Sequence, residues 1–318
     1  MSLRRKYMFI PHTNATSARL GRLTSYAVHR VALTLLLGLG GCSTGVLAPA
    51  GRVARAENVI LLDALAIMLA IVIPTLIATL AIAWWFRASN RKARYRPNFA
   101  YSGRIELIVW SIPTLVILFL GGVIWIGSHQ LDPGNPLPAD RKALDVQVVS
   151  LDWKWLFIYP GQDVASVNRL VVPAGVPVHF SLTSASVMNV FFVPRLGSMI
   201  YTMNRMVTQL HLQTDGPGEF FGESAQFSGD GFPYMTFSVS AVPEAQFTGW
   251  VAKAHGSGAV LDAAAYAELS RQSVSAQPFT YRHLAFDVFE AIVSQKLPPG
   301  PGPESRSATP VASLRPTS

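Results

Sequence analysis

The stretch 222-GESAQFSGDGFPYMTF-237 has the spacing of a metal-binding loop whose donor atoms have been exchanged. Ser224 and Ser228 stand four apart, Phe232 follows four later and Met235 three after that. With cysteines at the two serines and a histidine at Phe232, the pattern would read C-x3-C-x3-H-x2-M. Thiolates, an imidazole and a thioether are the ligand set that favours copper. The residues in place do different chemistry. A serine hydroxyl is hard and poorly acidic, and a phenyl ring has no donor atom. The loop is expected to keep its shape through ordinary packing, with Met235 as a core filler.

The rest of the 318-residue chain narrows the chemistry further. There is one cysteine, Cys42, so an intrachain disulfide and a cysteine-based metal site are both excluded. His129, His179, His211, His255 and His283 show no i, i+2 or i, i+4 pairing with another metal-type donor, and are read as surface or satisfied core residues. No Ser–His–Asp or paired-carboxylate pattern is recognisable. The net charge is +8, but the basic residues gather beside apolar spans. There they signal membrane topology rather than a phosphate-binding surface, and no nucleic-acid partner is expected.

Residues 1–30 are basic and polar, and 31-VALTLLLGLGGC-42 is a short apolar run ending in small residues. That is the plan of a secretory signal, too short to span a bilayer. The tetrapeptide 39-LGGC-42 resembles the bacterial lipobox, which makes Cys42 the expected lipidation site and residues 1–41 a lipoprotein-type signal peptide. Residues 42–130 then form a membrane hairpin. Its spans are 59–86 and 105–127, each near or above the roughly 20 apolar residues that cross a hydrocarbon core. Trp84, Trp85 and Phe86 suit an interfacial belt, and Pro74 a kink. The loop 87–104 carries six cations and no acid, which places it in the cytoplasm and both hairpin ends outside. Glu106 opens the second span, where a carboxylate is favoured by the helix dipole.

From about residue 131 the pattern changes. A Pro/Gly linker leads into short alternating runs rich in Val, Phe, Tyr and Thr, broken at Pro or Gly. Residues 131–250 are therefore expected to form an all-β sandwich or barrel outside the membrane. Residues 251–297 read as a helical extension, with Asp262 as an N-cap and 283-HLAFDVFEAIVSQKL-297 as an amphipathic helix. The Pro/Ser/Gly-rich tail 298–318 has the composition of disorder. The fold class is thus α+β: a two-helix transmembrane hairpin, a β-sandwich and a short helical extension.

Signal motif, hairpin and exported β domain together resemble subunit II of the haem–copper terminal oxidases, and within them the quinol-oxidising, cytochrome bo-type branch. The resemblance runs from about Cys42 to Leu297. It is carried by 86-FRASN-90, 149-VSLDWKWLFIYP-160, 186-SVMNVFFVPRLGSMIYTM-203 and 222-GESAQFSGDGF-232.

The resemblance implies a cupredoxin-like sandwich. In the cytochrome c-oxidising relatives that sandwich holds the dinuclear CuA centre. Here Ser224 and Ser228 match its cysteine positions, Asn189 and Phe232 its histidine positions, Met235 its methionine position and Gln226 its carbonyl donor. The resemblance therefore implies a subunit with no cofactor of its own, in a proton-pumping oxidase that transfers electrons from quinol to oxygen. Haems and copper would reside in subunit I, and subunits I, III and IV and membrane lipid would be the partners. Glu106 matches an acid near the cytoplasmic mouth of a proton pathway into subunit I. Trp153 and Trp155 match the aromatic strand through which copper-containing relatives take electrons, and are read here as sandwich aromatics. The expected location is the bacterial inner membrane, with the large domain in the periplasm. Two rival readings stand beside this one: a membrane-tethered lipoprotein acting as a binding module or assembly factor, and a CuA-bearing cytochrome c oxidase subunit, against which the missing cysteines argue.

Overall fold

The computed structural model describes residues 45–94, 96–139, 141–274, 276–300 and 302. Cys42, the signal segment and the tail beyond residue 302 lie outside the described residues. The chain divides into residues 1–47, of which only the turn at 45–47 is described, and the unit Ala48–Ser318 treated below.

Two helices come first, α1 (Arg52–Trp85) and α2 (Gly103–Gln130), and among the described residues both are long and apolar enough to cross a membrane. Their side chains are almost all exposed, so their apolar surface has no protein cover within the chain. At 34 residues α1 is about 51 Å long, against a hydrocarbon core of about 30 Å. It begins seven residues before the expected span and runs through Pro74 without interruption. The extra turns are anchored in the β domain. Gly51 bridges Thr214, the Ala54 N–H donates to the Leu196 carbonyl at 3.2 Å, and Val53 is buried in the main core. Arg55 pairs with Asp215, and Ser198 donates to Glu57.

The β domain is a two-sheet sandwich. Its larger sheet contains β1 (Leu144–Leu151), β2 (Lys154–Tyr159), β3 (Val164–Val167), β5 (Pro177–Ser184), β8 (Thr208–Gln213), β11 (Ala259–Leu261) and β12 (Phe279–Leu284), in the order β11-β12-β3-β2-β1-β5-β8. Its smaller sheet contains β4 (Arg169–Pro173), β6 (Asn189–Phe192), β7 (Ile200–Thr202), β9 (Gly218–Ser224) and β10 (Thr236–Val242), in the order β4-β10-β9-β6-β7.

Every residue of β2 is buried, because both faces of the larger sheet are covered. Side chains alternate between faces along a strand, and this strand shows it. Trp155, Phe157 and Tyr159 point between the sheets, where Trp155 meets Phe191 edge-on at 5.6 Å and Phe191 stacks on Phe237 at 5.1 Å. The Tyr159 hydroxyl donates to the Val171 carbonyl at 3.0 Å and accepts from the Val171 N–H at 2.8 Å, tying the two sheets together. Leu156 and Ile158 point outward into a second core.

The C-terminal segment supplies that second core. It comprises α3 (Glu244–Gly256), β11, α4 (Ala263–Leu269), β12 and α5 (Val288–Val293). The sequence suggests helix throughout, but β12 pairs antiparallel with β3 and β11 joins β12, so the segment also extends the sheet. The apolar run expected to be one helix over 283–297 is divided. Its first two residues complete β12, and the helix is Val288–Val293, capped by Asp287. An unpaired β3 edge inside a covered sheet would leave polar backbone groups buried, and β12 removes that cost. Asp262 caps α4 through the Ala265 N–H at 2.8 Å, as its position suggests.

Tyr266 and Tyr281 lie in the second core, and burial pushes the Tyr266 phenol up to about 12 and the Tyr281 phenol upward as well. A phenol raised in the folded state contributes stability that is complete below its unfolded value of 10.0 and is lost as pH climbs through the raised one. Lys154 acts oppositely, because burial lowers its ammonium below 10.5, so its contribution improves until pH reaches 10.5 and then stays level. The unfolding midpoint of the detergent-solubilised chain should therefore fall from about pH 10.5 to about pH 12. Tyr266→Phe should flatten that fall, and an unchanged slope in the variant would refute the assignment.

Candidate functional site

The loop between β9 and β10 closes one end of the sandwich, beside the start of β6. Register places Phe191 of β6 opposite Ser224, the last residue of β9. That pairing brings Asn189 and Ser224 together although they are 35 residues apart in the chain. Both are buried, and the Ser224 hydroxyl donates to Asn189 Oδ1 at 3.1 Å. Asn189 Nδ2 donates to the Val187 carbonyl at 3.2 Å. The Ser224 N–H donates to the Met235 carbonyl at 3.0 Å, and its hydroxyl reaches the Gln226 carbonyl at 3.5 Å. Met235 is 1% exposed and belongs to the main core. Phe232 starts a 3-10 turn (Phe232–Tyr234) and meets Phe227 edge-on at 5.7 Å. Ser228 is also buried, but its hydroxyl has no hydrogen-bond partner among the described residues.

Trp153 clamps this loop. It occupies the two-residue turn between β1 and β2 with φ of 65°, a left-handed conformation that is strained for a bulky residue. Its indole N–H donates to the Ser228 carbonyl at 3.0 Å. The ring lies so close to Gly231 that a Cβ there would sit 2.1 Å from it. The sequence marks Trp153 as a sandwich aromatic. Its companion Trp155 is one, while Trp153 has the further task of holding the loop. The only sequence signal for this contact is the bare Gly231 backbone opposite a large ring.

The donor set does not fit copper. One candidate ligand position is a ring without lone pairs, and two are hydroxyls, one of them engaged by an amide. Asn189 offers its oxygen to Ser224 rather than to a metal. Among the described residues no three of His, Cys, Asp or Glu gather closely enough to hold a metal ion. The arrangement does structural work: a buried polar pair at 189 and 224, a ring pair at 227 and 232, and a thioether in the core.

The two serines should respond differently to deletion. Ser224→Ala strands Asn189 Oδ1 in a buried site and should cost about 1–3 kcal/mol. Ser228→Ala removes a buried hydroxyl that has no partner among the described residues and should be neutral or stabilising. Denaturant unfolding of both variants in detergent checks the contrast, and equal losses would contradict the hydrogen-bond assignment.

The other singled-out residues lie elsewhere. Glu106 is exposed in the first turn of α2, far along the chain from the loop, and its N–H donates to the Ser102 carbonyl at 3.0 Å. Two histidines that appear isolated in the sequence are neighbours across strands. His179 and His211 stack with centroids 4.7 Å apart, and the outer nitrogens are occupied by Asp145 at 2.9 Å and the Pro133 carbonyl at 3.2 Å. Through the Pro133 carbonyl His211 fastens the linker to the edge strand β8, while His179 bonds Asp145 of β1.

Comparison with known proteins fits this geometry. The family model for the cytochrome c oxidase subunit II periplasmic domain matches residues 146–242. The chain is 43% identical over 269 residues to the cytochrome bo(3) ubiquinol oxidase subunit 2 of Pseudomonas aeruginosa, covering 85% of this chain and 81% of the relative. It is 44% identical over 283 residues to the ubiquinol oxidase subunit 2 of Acetobacter aceti, covering 88% and 89%. Among solved structures, the periplasmic domain of cytochrome oxidase subunit II from Bradyrhizobium japonicum aligns at 22% identity and a TM-score of 0.35, covering 37% of this chain and 98% of that one. With apolar hairpin and cupredoxin-like sandwich in one chain, and with these relatives matched over most of their length, the chain belongs to the ubiquinol oxidase subunit 2 family, the second subunit of a quinol oxidase.

Proposed function

We propose that this chain is the non-catalytic, copper-free second subunit of a proton-pumping quinol oxidase in the bacterial inner membrane. The observation that carries the reading is the buried hydrogen bond between Ser224 and Asn189, which fills with packing the place where a soluble electron donor would need a metal. Quinol delivers electrons within the membrane, and the haems and copper that pass them to oxygen reside in subunit I. The exported domain stands in the periplasm and serves assembly and stability of the complex with subunits I, III and IV. The hairpin loop faces the cytoplasm, and Cys42 carries lipid. Residues 42–130 act as the membrane module, 131–250 as the sandwich and 251–297 as its brace.

Glu106 feeds protons toward subunit I from the cytoplasmic side. The support is its exposed carboxylate at the start of a helix long enough to cross the membrane. Glu106→Gln is expected to slow quinol-driven oxygen uptake by about 10-fold, below the roughly 100-fold or more of a proton-transfer group at the reacting atoms, without reducing the amount of assembled complex. Unchanged turnover would assign Glu106 to the helix dipole alone.

The test of the main reading is purification of the intact complex through a tag on this chain, followed by metal and haem analysis and oxygen-uptake assays. Haem with a single copper, and activity with quinol but not with cytochrome c, is the expected result. A second copper pool bound by this chain would overturn the reading, and so would isolation of the chain alone, colourless and inactive.

A further inference from the structure

The end of the hairpin away from the sandwich holds a basic cavity that the proposed function does not use. It opens where α1 ends, with a volume of about 900 Å³. Trp85, Phe86 and Phe99 supply apolar walls, while Lys92, Arg94 and Arg96 supply charge. The turn that shapes it is organised by Asn90, whose amide donates to the Trp85 carbonyl at 2.6 Å and whose oxygen accepts from the Lys92 N–H at 3.1 Å. Arg87 lies 4.9 Å from the Trp84 ring centroid and donates to Ser89 at 3.0 Å.

Three features define the occupant. First, the charge is uncompensated. Residues 87–104 contain six cations and no acid, and among the described residues no carboxylate forms an ion pair with any of them. Secondly, the carbonyl end of α1 offers only a partial negative charge, and its Trp85 carbonyl is already taken by the Asn90 amide, so most of the positive charge of the turn is left for an anion. Thirdly, the cavity joins charged and aromatic walls at the edge of a helix long enough to cross a membrane, where headgroups meet acyl chains. A free anion would use the cations and leave Trp85, Phe86 and Phe99 wet. A lipid would use both.

We propose that this cavity binds the headgroup of an anionic phospholipid, with its phosphate against Lys92, Arg94 and Arg96 and the start of its acyl chains along Trp85, Phe86 and Phe99. Each cation near the surface contributes about fivefold to the attraction for anionic lipid. The bound lipid offsets part of the turn's positive charge and seals the gap beside the end of α1.

The test uses the intact detergent-purified oxidase, delipidated and incubated with phosphatidylglycerol, phosphatidylcholine or inorganic phosphate, with retained lipid counted by native mass spectrometry. Phosphatidylglycerol should be retained above phosphatidylcholine at equal concentration. Arg94→Gln with Arg96→Gln should weaken that retention by roughly 25-fold, leaving four loop cations to hold the topology. A diazirine-bearing phosphatidylglycerol should cross-link the native chain within residues 85–99, which needs no variant to fold. Equal retention of the two lipids, full retention by the double variant, or cross-links confined to other segments would overturn the site. Displacement of phosphatidylglycerol by an equal concentration of inorganic phosphate would overturn the lipid as its occupant. The readout is bound lipid, so it stands apart from any result on turnover.

Discussion

Replacing Asn189 and Phe232 with histidine, and Ser224 and Ser228 with cysteine, should convert a loop with no useful copper affinity into a copper site. Part of the ligand set already converges around residue 224. Asn189 and Ser224 are within 3.1 Å through their side chains, and Ser228 sits buried beneath the Trp153 indole with no partner among the described residues for its own hydroxyl to lose. Met235 is in place, and the Gln226 carbonyl already faces residue 224. The substitutions would supply two thiolates and two imidazoles, the soft and borderline donors that hold copper. Thiolate–imidazole sites in small domains bind metal with on the order of 10 kcal/mol, enough to outweigh loss of one hydrogen bond of about 1–3 kcal/mol. The full-length quadruple variant in detergent should take up copper and show intense visible thiolate-to-copper absorption, while the parent chain stays colourless. A folded quadruple variant that takes up no copper would mean that the loop no longer holds ligand geometry.

Ending the chain after Ser257 should abolish folding of the β-sandwich domain. The cut removes Leu261, Tyr266, Leu269, Tyr281, Val288, Phe289 and Ile292 from the outer face of the larger sheet. It would expose Val149, Leu151, Leu156, Ile158, Ala165 and Val167 to water. At about 1.5–3 kcal/mol for each large side chain uncovered, the loss is on the order of 10 kcal/mol, comparable with the 5–15 kcal/mol that a whole domain commonly has. Polar groups suffer too. Lys154 is 3% exposed and donates to the Arg271 carbonyl at 2.5 Å and to Ser273 at 2.7 Å, both in the removed segment. A buried ammonium without partners is costly. The milder variant Phe289→Ala should cost about 3–5 kcal/mol and remain measurable by denaturant unfolding. Limited proteolysis of membranes carrying the truncated chain checks the larger effect, and a protease-resistant sandwich without the segment would sink it.

The hairpin was legible because two long apolar runs leave few alternatives, and the sandwich because strands such as 144-LDVQVVSL-151 are short and bounded by turn residues. What the sequence concealed depends on partners distant in the chain. The strand Phe279–Leu284 gains its identity from the β3 edge, more than a hundred residues earlier, so local periodicity favoured helix there. The stack of His179 on His211 joins residues far apart in sequence, and no spacing rule reveals a cross-strand pair. Trp153 occupies a backbone region that a propensity argument assigns to glycine, because its ring is held by Ser228 and Gly231. Within the loop, spacing exposed the missing donors, and family resemblance located Asn189. The hydrogen bond that joins it to Ser224 required coordinates.

The anchoring of Val53 and Gly51 in the sandwich sets an order of events during synthesis. Gly197 lies so close to Val53 that a Cβ there would come within 3.1 Å of it, which joins positions on either side of the entire hairpin. The strands emerge from the ribosome only after both helices, so the core can close only on a segment made long before. A chain in which only one of the two helices crossed would leave residues 51–54 on the opposite side of the bilayer from their partners. The last side chains to settle therefore depend on both helices having crossed, and a misthreaded chain would be left with an open core.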